Sequence, residues 1–287
     1  MSWVSHPFLT RRAFLAAAAA AASSAAPQAT RWALLSDTHI PADPGNAYRG
    51  FQPYENLKRI VPAVQRAGTG GLLVCGDLAR LEGLPEDYEN LRKLLGPLLG
   101  GMPAAMVLGN HDDRKNFLAA FGPAAGDGRP RVANKHLAVI DAGPVRLVVL
   151  DSLMMPNFTP GFLGKAQRTW LEEYLRAAPP VPTLIAVHHT LDDGDTSLLD
   201  AERLLRIVKP LRQVKAVLYG HSHNYRYDSE DGLHLINLPA AGYNFRDTEP
   251  VGWVEAALSK EGGDFKLHAI GGNTEASGKT TSLAWRT

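Results

Sequence analysis

Five short segments of the sequence combine histidine, aspartate and asparagine at points where apolar runs end. They are Asp37-Thr38-His39, Gly76-Asp77, Gly109-Asn110-His111-Asp112, His188-His189 and Gly220-His221-Ser222-His223. Imidazole nitrogens and carboxylate or amide oxygens bind Zn, Fe and Mn, and alternate histidines of one extended segment can reach two positions around a metal pair. One such segment alone is more simply a turn, a cap or a hydrogen-bonded core histidine. Five in succession predict a metal site.

The elements that position these segments alternate along the chain. Short runs rich in Val, Leu and Ile alternate with segments of helical period, which is typical of an α/β domain. Strands are predicted at 32–36, 71–75, 104–108, 137–141, 146–151, 183–187 and 216–219, with more from His234 on, and helices at 54–66, 88–99, 165–177 and 200–208. The polar tail from Gly271 is expected to be loose. Because loops at the carboxyl ends of strands converge, the five segments are expected to meet.

Composition narrows the class of protein. The chain has 287 residues, 45% of them hydrophobic, enough for one domain with a large core. The formal net charge of +1 lacks the basic excess of a duplex-binding protein, so no structural nucleic acid is expected. Cys75 is the only cysteine, which excludes an internal disulfide and a Cys-rich metal site. The sequence contains no internal repeat and does not define the oligomeric state.

The N-terminal segment has the composition of an export signal. Arg11-Arg12 precedes an alanine-rich run to Ala22 and then small residues, a pattern of charged, apolar and cleavable regions. The paired arginines resemble a twin-arginine signal peptide, assigned to 1–26, and predict a periplasmic or extracellular protein. The alternative is a membrane anchor, but the run is shorter than the about 20 apolar residues that a span needs. No stable membrane span is expected.

The order of the five segments resembles that of the calcineurin-like metallophosphoesterases. The pattern Asp-x-His, Gly-Asp, Gly-Asn-His-Asp, His, Gly-His-x-His extends from Ser36 to His223, and the run 109–114 most resembles the bacterial branch similar to cyclic-nucleotide phosphodiesterases. The resemblance implies that 27–287 is the catalytic domain. It also implies an α/β fold of two mixed β-sheets packed as a sandwich and flanked by helices.

The same resemblance implies a ligand set for two metal ions. Asp37, His39 and His223 would hold one ion, Asn110, His188 and His221 the other, and Asp77 both. His188 is chosen over His189 because the family ligand directly follows the apolar run. Arg80 replaces the tyrosine of purple members, and Thr190 replaces a common proline, so the loop there can differ in shape. The ions are divalent or trivalent, and Fe, Mn and Zn all remain possible.

The implied activity is hydrolysis of a small phosphoester, most simply a phosphodiester such as a cyclic nucleotide, by a metal-bridging hydroxide. His111 would stabilise the phosphoryl oxygens and protonate the leaving alkoxide, and Asp112 would orient His111, cap the next helix, or do both. Candidates for the substrate rim are Arg80, Asn157, Phe158, Tyr243, Asn244 and Phe245. A phosphomonoesterase remains an alternative, as does a binding scaffold without catalysis, although the complete ligand set favours an enzyme.

Overall fold

The computed structural model describes residues 30–123 and 132–287, so the predicted signal peptide at 1–26 lies outside the described chain. Six strands form the first sheet in the order β12-β11-β10-β1-β2-β3, and six form the second in the order β4-β5-β6-β7-β9-β8. The strands are β1 Thr30–Leu35, β2 Gly71–Cys75, β3 Ala104–Val107, β4 Ala138–Asp141, β5 Arg146–Val149, β6 Thr183–Ala186, β7 Val214–Tyr219, β8 Arg226–Glu230, β9 Leu233–Asn237, β10 Pro250–Leu258, β11 Gly262–Gly272 and β12 Thr280–Ala284. The helices are α1 Pro53–Ala67, α2 Pro85–Leu99, α3 Arg114–Phe121, α4 Lys165–Ala177 and α5 Ala201–Val208.

Both sheets are mixed. β1, β2 and β3 run parallel, as do β5, β6, β7 and β9, while β10–β12, β4 and β8 add antiparallel partners. The sequence order β1-α1-β2-α2-β3 and β5-α4-β6-α5-β7 gives four of the parallel pairs a helical crossover, whereas the parallel pair β7 and β9 is connected through β8.

Alternation along the strands decides how the layers pack. In β1, Trp32 and Leu34 pack into the core between the sheets, whereas Ala33 and Leu35 face the helices. The second sheet behaves in the same way, with Leu184 in the shared core and Ile185 in the cluster with α4 and α5. The predicted α/β sandwich flanked by helices is therefore confirmed.

The chain beyond β11 departs from the prediction. The expectation of a loose tail from Gly271 is wrong, because β12 pairs with β11 from Gly262↔Ala284 to Lys266↔Thr280. The Trp285 indole Nε1 donates to the Ser259 carbonyl at 3.0 Å, and Arg286 Nε donates to the Val214 carbonyl at 2.8 Å. Small polar residues suit an edge strand with one solvated face, so composition alone concealed this strand.

No helix in 30–123 or 132–287 is long and apolar enough to cross a membrane.

Because the C-terminus packs against the core, a substitution there should lower the free energy of unfolding. Trp285 is 7% exposed and packs into the core between the sheets. Trp285→Ala should lower the free energy of unfolding by about 3–5 kcal/mol, because it leaves a cavity and an unpaired Ser259 carbonyl. Urea denaturation measures the change, with Thr280→Ala, exposed on the adjoining strand β12, as the control. A loss below about 1 kcal/mol would mean that the tail is not part of the core.

Candidate metal centre

Loops that follow β1, β2, β3, β6 and β7 bring the seven predicted ligand side chains together at one end of the sandwich. Six of these side chains form two groups whose candidate ligand atoms lie within 4.8 Å of one another: Asp37 with His39 and His223, and Asp77 with His188 and His221. A third group of this kind, His39 with Asp77 and His111, shares one residue with each. β1–β3 belong to the first sheet and β6 and β7 to the second, so both sheets contribute to the first two groups. The site therefore spans the seam of the sandwich.

Distances within the cluster show which atoms converge. His223 Nε2 lies 3.4 Å from Asp37 Oδ1 and 3.1 Å from His39 Nε2. In the second group, His188 Nε2 lies 3.2 Å from Asp77 Oδ2. Asp77 Oδ2 is also 3.7 Å from His39 Nε2, so this carboxylate lies between the two groups.

Backbone carbonyls orient the imidazoles. The Nδ1–H groups of His39, His188 and His223 donate to the carbonyls of Arg80, Cys75 and Tyr243 at 3.2, 2.9 and 2.6 Å. Each of these rings therefore turns the lone pair of Nε2 into the cluster. His221 is reversed: its Nε2–H donates to the Thr196 carbonyl at 2.9 Å, and Nδ1 faces Asn110 Oδ1 at 3.0 Å. Fixing a ligand histidine through its second nitrogen is characteristic of metal sites.

These contacts place acceptors against acceptors. With the tautomers set by the carbonyls, His39 Nε2 meets His223 Nε2, and His221 Nδ1 meets Asn110 Oδ1, without a proton between them. The buried His188 Nε2 likewise has no hydrogen-bond partner. Ligand atoms that share a zinc-sized ion at about 2.0–2.2 Å lie roughly 3–3.6 Å apart, which matches the observed spacings. The donor set fits metal ions, which would supply the missing positive charge.

Burial and neighbouring charges shift the pKa values of the groups in the cluster in different directions. Burial lowers the pKa of His39 to about 3 and that of His221 to about 4, so both rings are neutral and able to bind metal. Burial alone would raise the pKa of Asp77, but His188, His111 and His39 together outweigh it and hold that pKa well below its usual value. Asp77 in turn raises the pKa of His188 against the effect of burial. His188 would therefore have to lose a proton before it could bind a metal ion.

The backbone at these positions is strained. Among the described residues, nine other than glycine have positive φ, and five of them are candidate ligands: Asp37, His39, Asp77, His221 and His223. This conformation disfavours side chains with a Cβ and is concentrated at functional sites. Gly109 clears the space beside them, because a Cβ there would collide with Asp77 Oδ1. Sequence reasoning gave no sign of this strain, since none of the five positions is a glycine.

The structure distinguishes the two adjacent histidines after β6. His188 joins the cluster, whereas His189 Nε2–H donates to the Thr159 carbonyl at 3.0 Å and its Nδ1 pairs with Ser152 Oγ at 2.7 Å. The choice of His188 agrees with these positions. Thr190 Oγ1 donates to Ser197 Oγ at 2.8 Å, a contact that a proline at this position could not make.

His111 lies at the edge of the cluster and lines the open cleft above it. Its backbone N–H donates to Asp77 Oδ1 at 2.8 Å, and its Nδ1–H donates to the Leu81 carbonyl at 2.9 Å. Its ring centroid is 5.3 Å from that of His39. Nε2 is therefore the ring nitrogen available to a molecule in the cleft.

The predicted contact between Asp112 and His111 is wrong. Asp112 is fully buried, and its carboxylate accepts from the N–H groups of Leu78, Ala79 and Gly109 and from the Tyr88 hydroxyl. The helix cap is also a different residue, because the Asp113 side chain accepts from the Asn116 N–H at the start of α3. Burial, together with Asp77 nearby, raises the pKa of Asp112 to about 7. Asp112 joins the loops after β2 and β3, and the Leu81 carbonyl orients His111.

The rim candidates divide into buried and exposed residues. Tyr243 is 3% exposed and stacks on His39 at 4.7 Å between centroids, and the amide of buried Asn244 donates to the Glu249 carbonyl. Tyr243 and Asn244 are therefore buried next to the site and do not form its exposed rim. Phe245 is 45% exposed and stacks on His223 at 4.2 Å. Phe158 is exposed, and the Asn157 N–H donates to the Asn110 carbonyl at 2.6 Å.

Sequence reasoning missed one wall of the cleft. The loop between β6 and α5 contributes Thr190, Asp192, Gly194, Thr196 and Ser197 to its lining. A run of Asp, Gly, Thr and Ser is typical of any surface turn, so its composition carried no signal of a site. The Thr196 carbonyl, which accepts from Nε2–H of His221, connects this part of the loop with the cluster.

Comparisons with known proteins agree with the geometry. Residues 30–225 match the family model described as calcineurin-like phosphoesterase. A probable cyclic nucleotide phosphodiesterase of Synechococcus is 29% identical over 238 residues, covering 80% of this chain and 88% of the relative. The glycerophosphodiester phosphodiesterase GpdQ of Enterobacter lignolyticus is 27% identical over 230 residues, covering 76% and 81%.

A solved structure shows the same fold. The crystal structure of a dimetal phosphatase from Danio rerio superposes with a TM-score of 0.72 at 15% identity, covering 90% of this chain and all of the other. At that identity the likeness concerns the fold alone. The family match covers more than half of the chain, and the chain therefore belongs to the calcineurin-like phosphoesterase family of metal-dependent phosphoester hydrolases.

Proposed function

We propose that this chain hydrolyses phosphodiesters, cyclic nucleotides among them, with two metal ions. Asp37, His39 and His223 would hold one ion, Asn110, His188 and His221 would hold the other, and Asp77 would contact both. This assignment rests on the close pairs of nitrogen and oxygen atoms around Asp77: His39 with His223, His221 with Asn110, and His188 with Asp77 itself. Bound ions supply a water nucleophile at neutral pH and positive charge for the phosphoryl oxygens.

His111 is proposed as the proton donor to the leaving group. Leu81 fixes Nδ1 and Asp77 fixes the backbone N–H, so the ring presents Nε2 to the cleft. A protonated Nε2 stabilises the phosphoryl oxygens and transfers its proton to the departing alkoxide.

Two observations favour a diester over a monoester. A monoester dianion gains from extra cations, and Arg80 and Arg114 are the two arginines near the motif loops. Arg114 is engaged with Asp151 through bonds of 2.7 and 2.9 Å, and the Arg80 guanidinium lies over Tyr48 and Tyr243 at 5.0 and 5.7 Å. The relatives named as cyclic nucleotide and glycerophosphodiester phosphodiesterases support the same choice.

We further propose export by the twin-arginine pathway, which accepts folded proteins. The support is the Arg11-Arg12 pair before the alanine run. Loading of the cluster before export would protect its donor set from competing metals outside the cell.

Removal of a shared ligand tests the metal assignment. Asp77→Ala should abolish turnover and lower the metal content, because both ions lose a ligand, and Asn110→Ala should act in the same direction. Elemental analysis of purified protein with activity on an aryl diester measures both effects. Asp264→Ala, an exposed carboxylate on β11, is the control. Unchanged metal content and full activity in Asp77→Ala would refute the assignment.

Esters with different leaving groups test whether His111 donates a proton. His111→Ala should retain its metal ions and lose roughly 10²–10⁴ in turnover on an alkyl diester, the usual range for a general acid. The loss should be smaller for a nitrophenyl ester, since nitrophenolate departs without a proton. Steady-state rates on the two esters give the comparison. Equal losses on both would exclude proton donation by this residue.

Substrate preference tests the class of ester. Bis(nitrophenyl) phosphate should be cleaved with a higher kcat/KM than nitrophenyl phosphate, and 2′,3′- or 3′,5′-cyclic nucleotides should be hydrolysed. A monoester preference of about tenfold, equivalent to roughly 1.4 kcal/mol of transition-state stabilisation, would make the chain a phosphomonoesterase instead.

Localisation is tested with the paired arginines. The double variant Arg11→Lys, Arg12→Lys should accumulate in the cytoplasm, because the pathway reads that pair. Fractionation of cells that express the full chain measures the distribution. Normal export of the double variant would point to another route.

A further inference from the structure

We propose that Asp192 selects substrates by charge: it disfavours phosphodiesters whose alcohol carries further negative charge and favours those with a cationic or uncharged alcohol. This inference rests on the proposed function, because it concerns the same cleft. It assigns a specificity role to a residue outside the metal cluster and outside the sequence motifs.

The loop that carries Asp192 is fixed against the cluster. Its ends meet where the Leu198 N–H donates to the Thr190 carbonyl at 2.9 Å, and the Ser197 N–H donates to the Gly194 carbonyl at 3.0 Å. The Thr196 carbonyl accepts from Nε2–H of His221. The loop thus shares a hydrogen bond with a proposed ligand, and its position relative to the phosphate is set by the folded structure.

The Asp192 carboxylate has one oxygen committed and one free. Oδ1 accepts from the Gly194 N–H at 3.2 Å and from the Ser197 hydroxyl. Within the described chain, Oδ2 accepts no hydrogen bond and Asp192 forms no ion pair. Asp192 is exposed and lines the cleft together with His111, His221 and Phe245. Its charge is therefore available to a molecule bound over the metal ions.

No basic side chain balances that charge inside the cleft. Of the lining residues that belong to 30–123 and 132–287, none is a lysine or an arginine. Arg80 lies on the side of Tyr48 and Tyr243, where Tyr243 stacks on His39. The phosphate would thus lie beside the positive charge of the metal ions. An alcohol that lies along the wall of the cleft formed by the loop with Asp192 would instead lie beside one carboxylate.

Coulomb's law gives the size of the effect. Water in the open cleft screens the interaction between a charged alcohol and the Asp192 carboxylate, so the effect is much smaller than in a closed interior. We expect a difference of about tenfold in affinity between a cationic and an anionic alcohol. Phe245, exposed beside His223, adds an aromatic face that suits a cation or an apolar group.

Three methylphosphonate monoesters test the proposal, each with one negative charge on phosphorus. Their alcohols are choline, its uncharged carbon analogue 3,3-dimethylbutanol, and a hydroxycarboxylate of similar length. In each probe a methyl group replaces the second alcohol of a diester. The one alcohol can therefore bind on whichever side of the phosphorus it prefers. Titration calorimetry with the metal-loaded protein measures Kd, and phosphorus NMR after each titration verifies that the ester bond of the probe is intact.

The choline ester should bind about tenfold more tightly than the carboxylate ester, with the uncharged ester between them. Asp192→Asn keeps an Oδ1 that accepts from Gly194 and Ser197, and should reduce that ratio to about twofold or less. Asp193→Asn is the matched control, because both aspartates border a neighbouring cavity with Leu199 and Glu202, whereas of the two Asp192 alone also lines the metal cleft. Its ratio should stay close to that of the unmodified chain, and added salt should reduce the preference.

Equal Kd values for the three probes would overturn the proposal, as would a ratio that Asp193→Asn lowers as much as Asp192→Asn does. An unchanged ratio in Asp192→Asn with unchanged metal content would also overturn it. Failure of the proposed function has a separate signature, because metal-loaded protein would then bind the probes but leave bis(nitrophenyl) phosphate intact.

Discussion

The structure depends on a buried set of hydrogen-bond acceptors that face one another at the seam of two sheets. Asp37 and Asp77 are fully or almost fully buried, and His39, His188 and His223 direct Nε2 toward them. Buried carboxylates and unpaired lone pairs are unfavourable in a protein interior unless a cation or a donor compensates them. The fold holds these groups together nonetheless, and metal ions are the compensation that fits their spacing.

Much of the surrounding structure serves to hold that arrangement. Carbonyls at the ends of strands fix each imidazole, Asp112 ties the loop after β2 to the loop after β3, and glycines leave room for the ligands. Five ligand residues adopt positive φ, a conformation that only an over-determined environment maintains. The strained backbone and the buried carboxylates lie together at one end of the sandwich, in the candidate metal centre.

The sequence predicted the layers and the ligand segments because both follow local rules. Apolar alternation marks the strands, and ligands placed after strands meet at the edge of a parallel sheet. It could not predict what depends on long-range packing. The pairing of carboxylates with catalytic histidines predicts that Asp112 orients His111, whereas its partners Leu78, Ala79 and Tyr88 lie more than 20 residues away. The Asp192 wall and β12 were missed for a related reason, since polar loop composition does not reveal what a segment packs against.

Anomalous X-ray scattering from crystals of the metal-loaded protein would locate the metal ions. Two peaks about 3.5–4 Å apart are expected, one among Asp37, His39 and His223 and one among Asn110, His188 and His221, with Asp77 in contact with both. A single peak, or two peaks that do not share Asp77, would refute the proposed pair of ions.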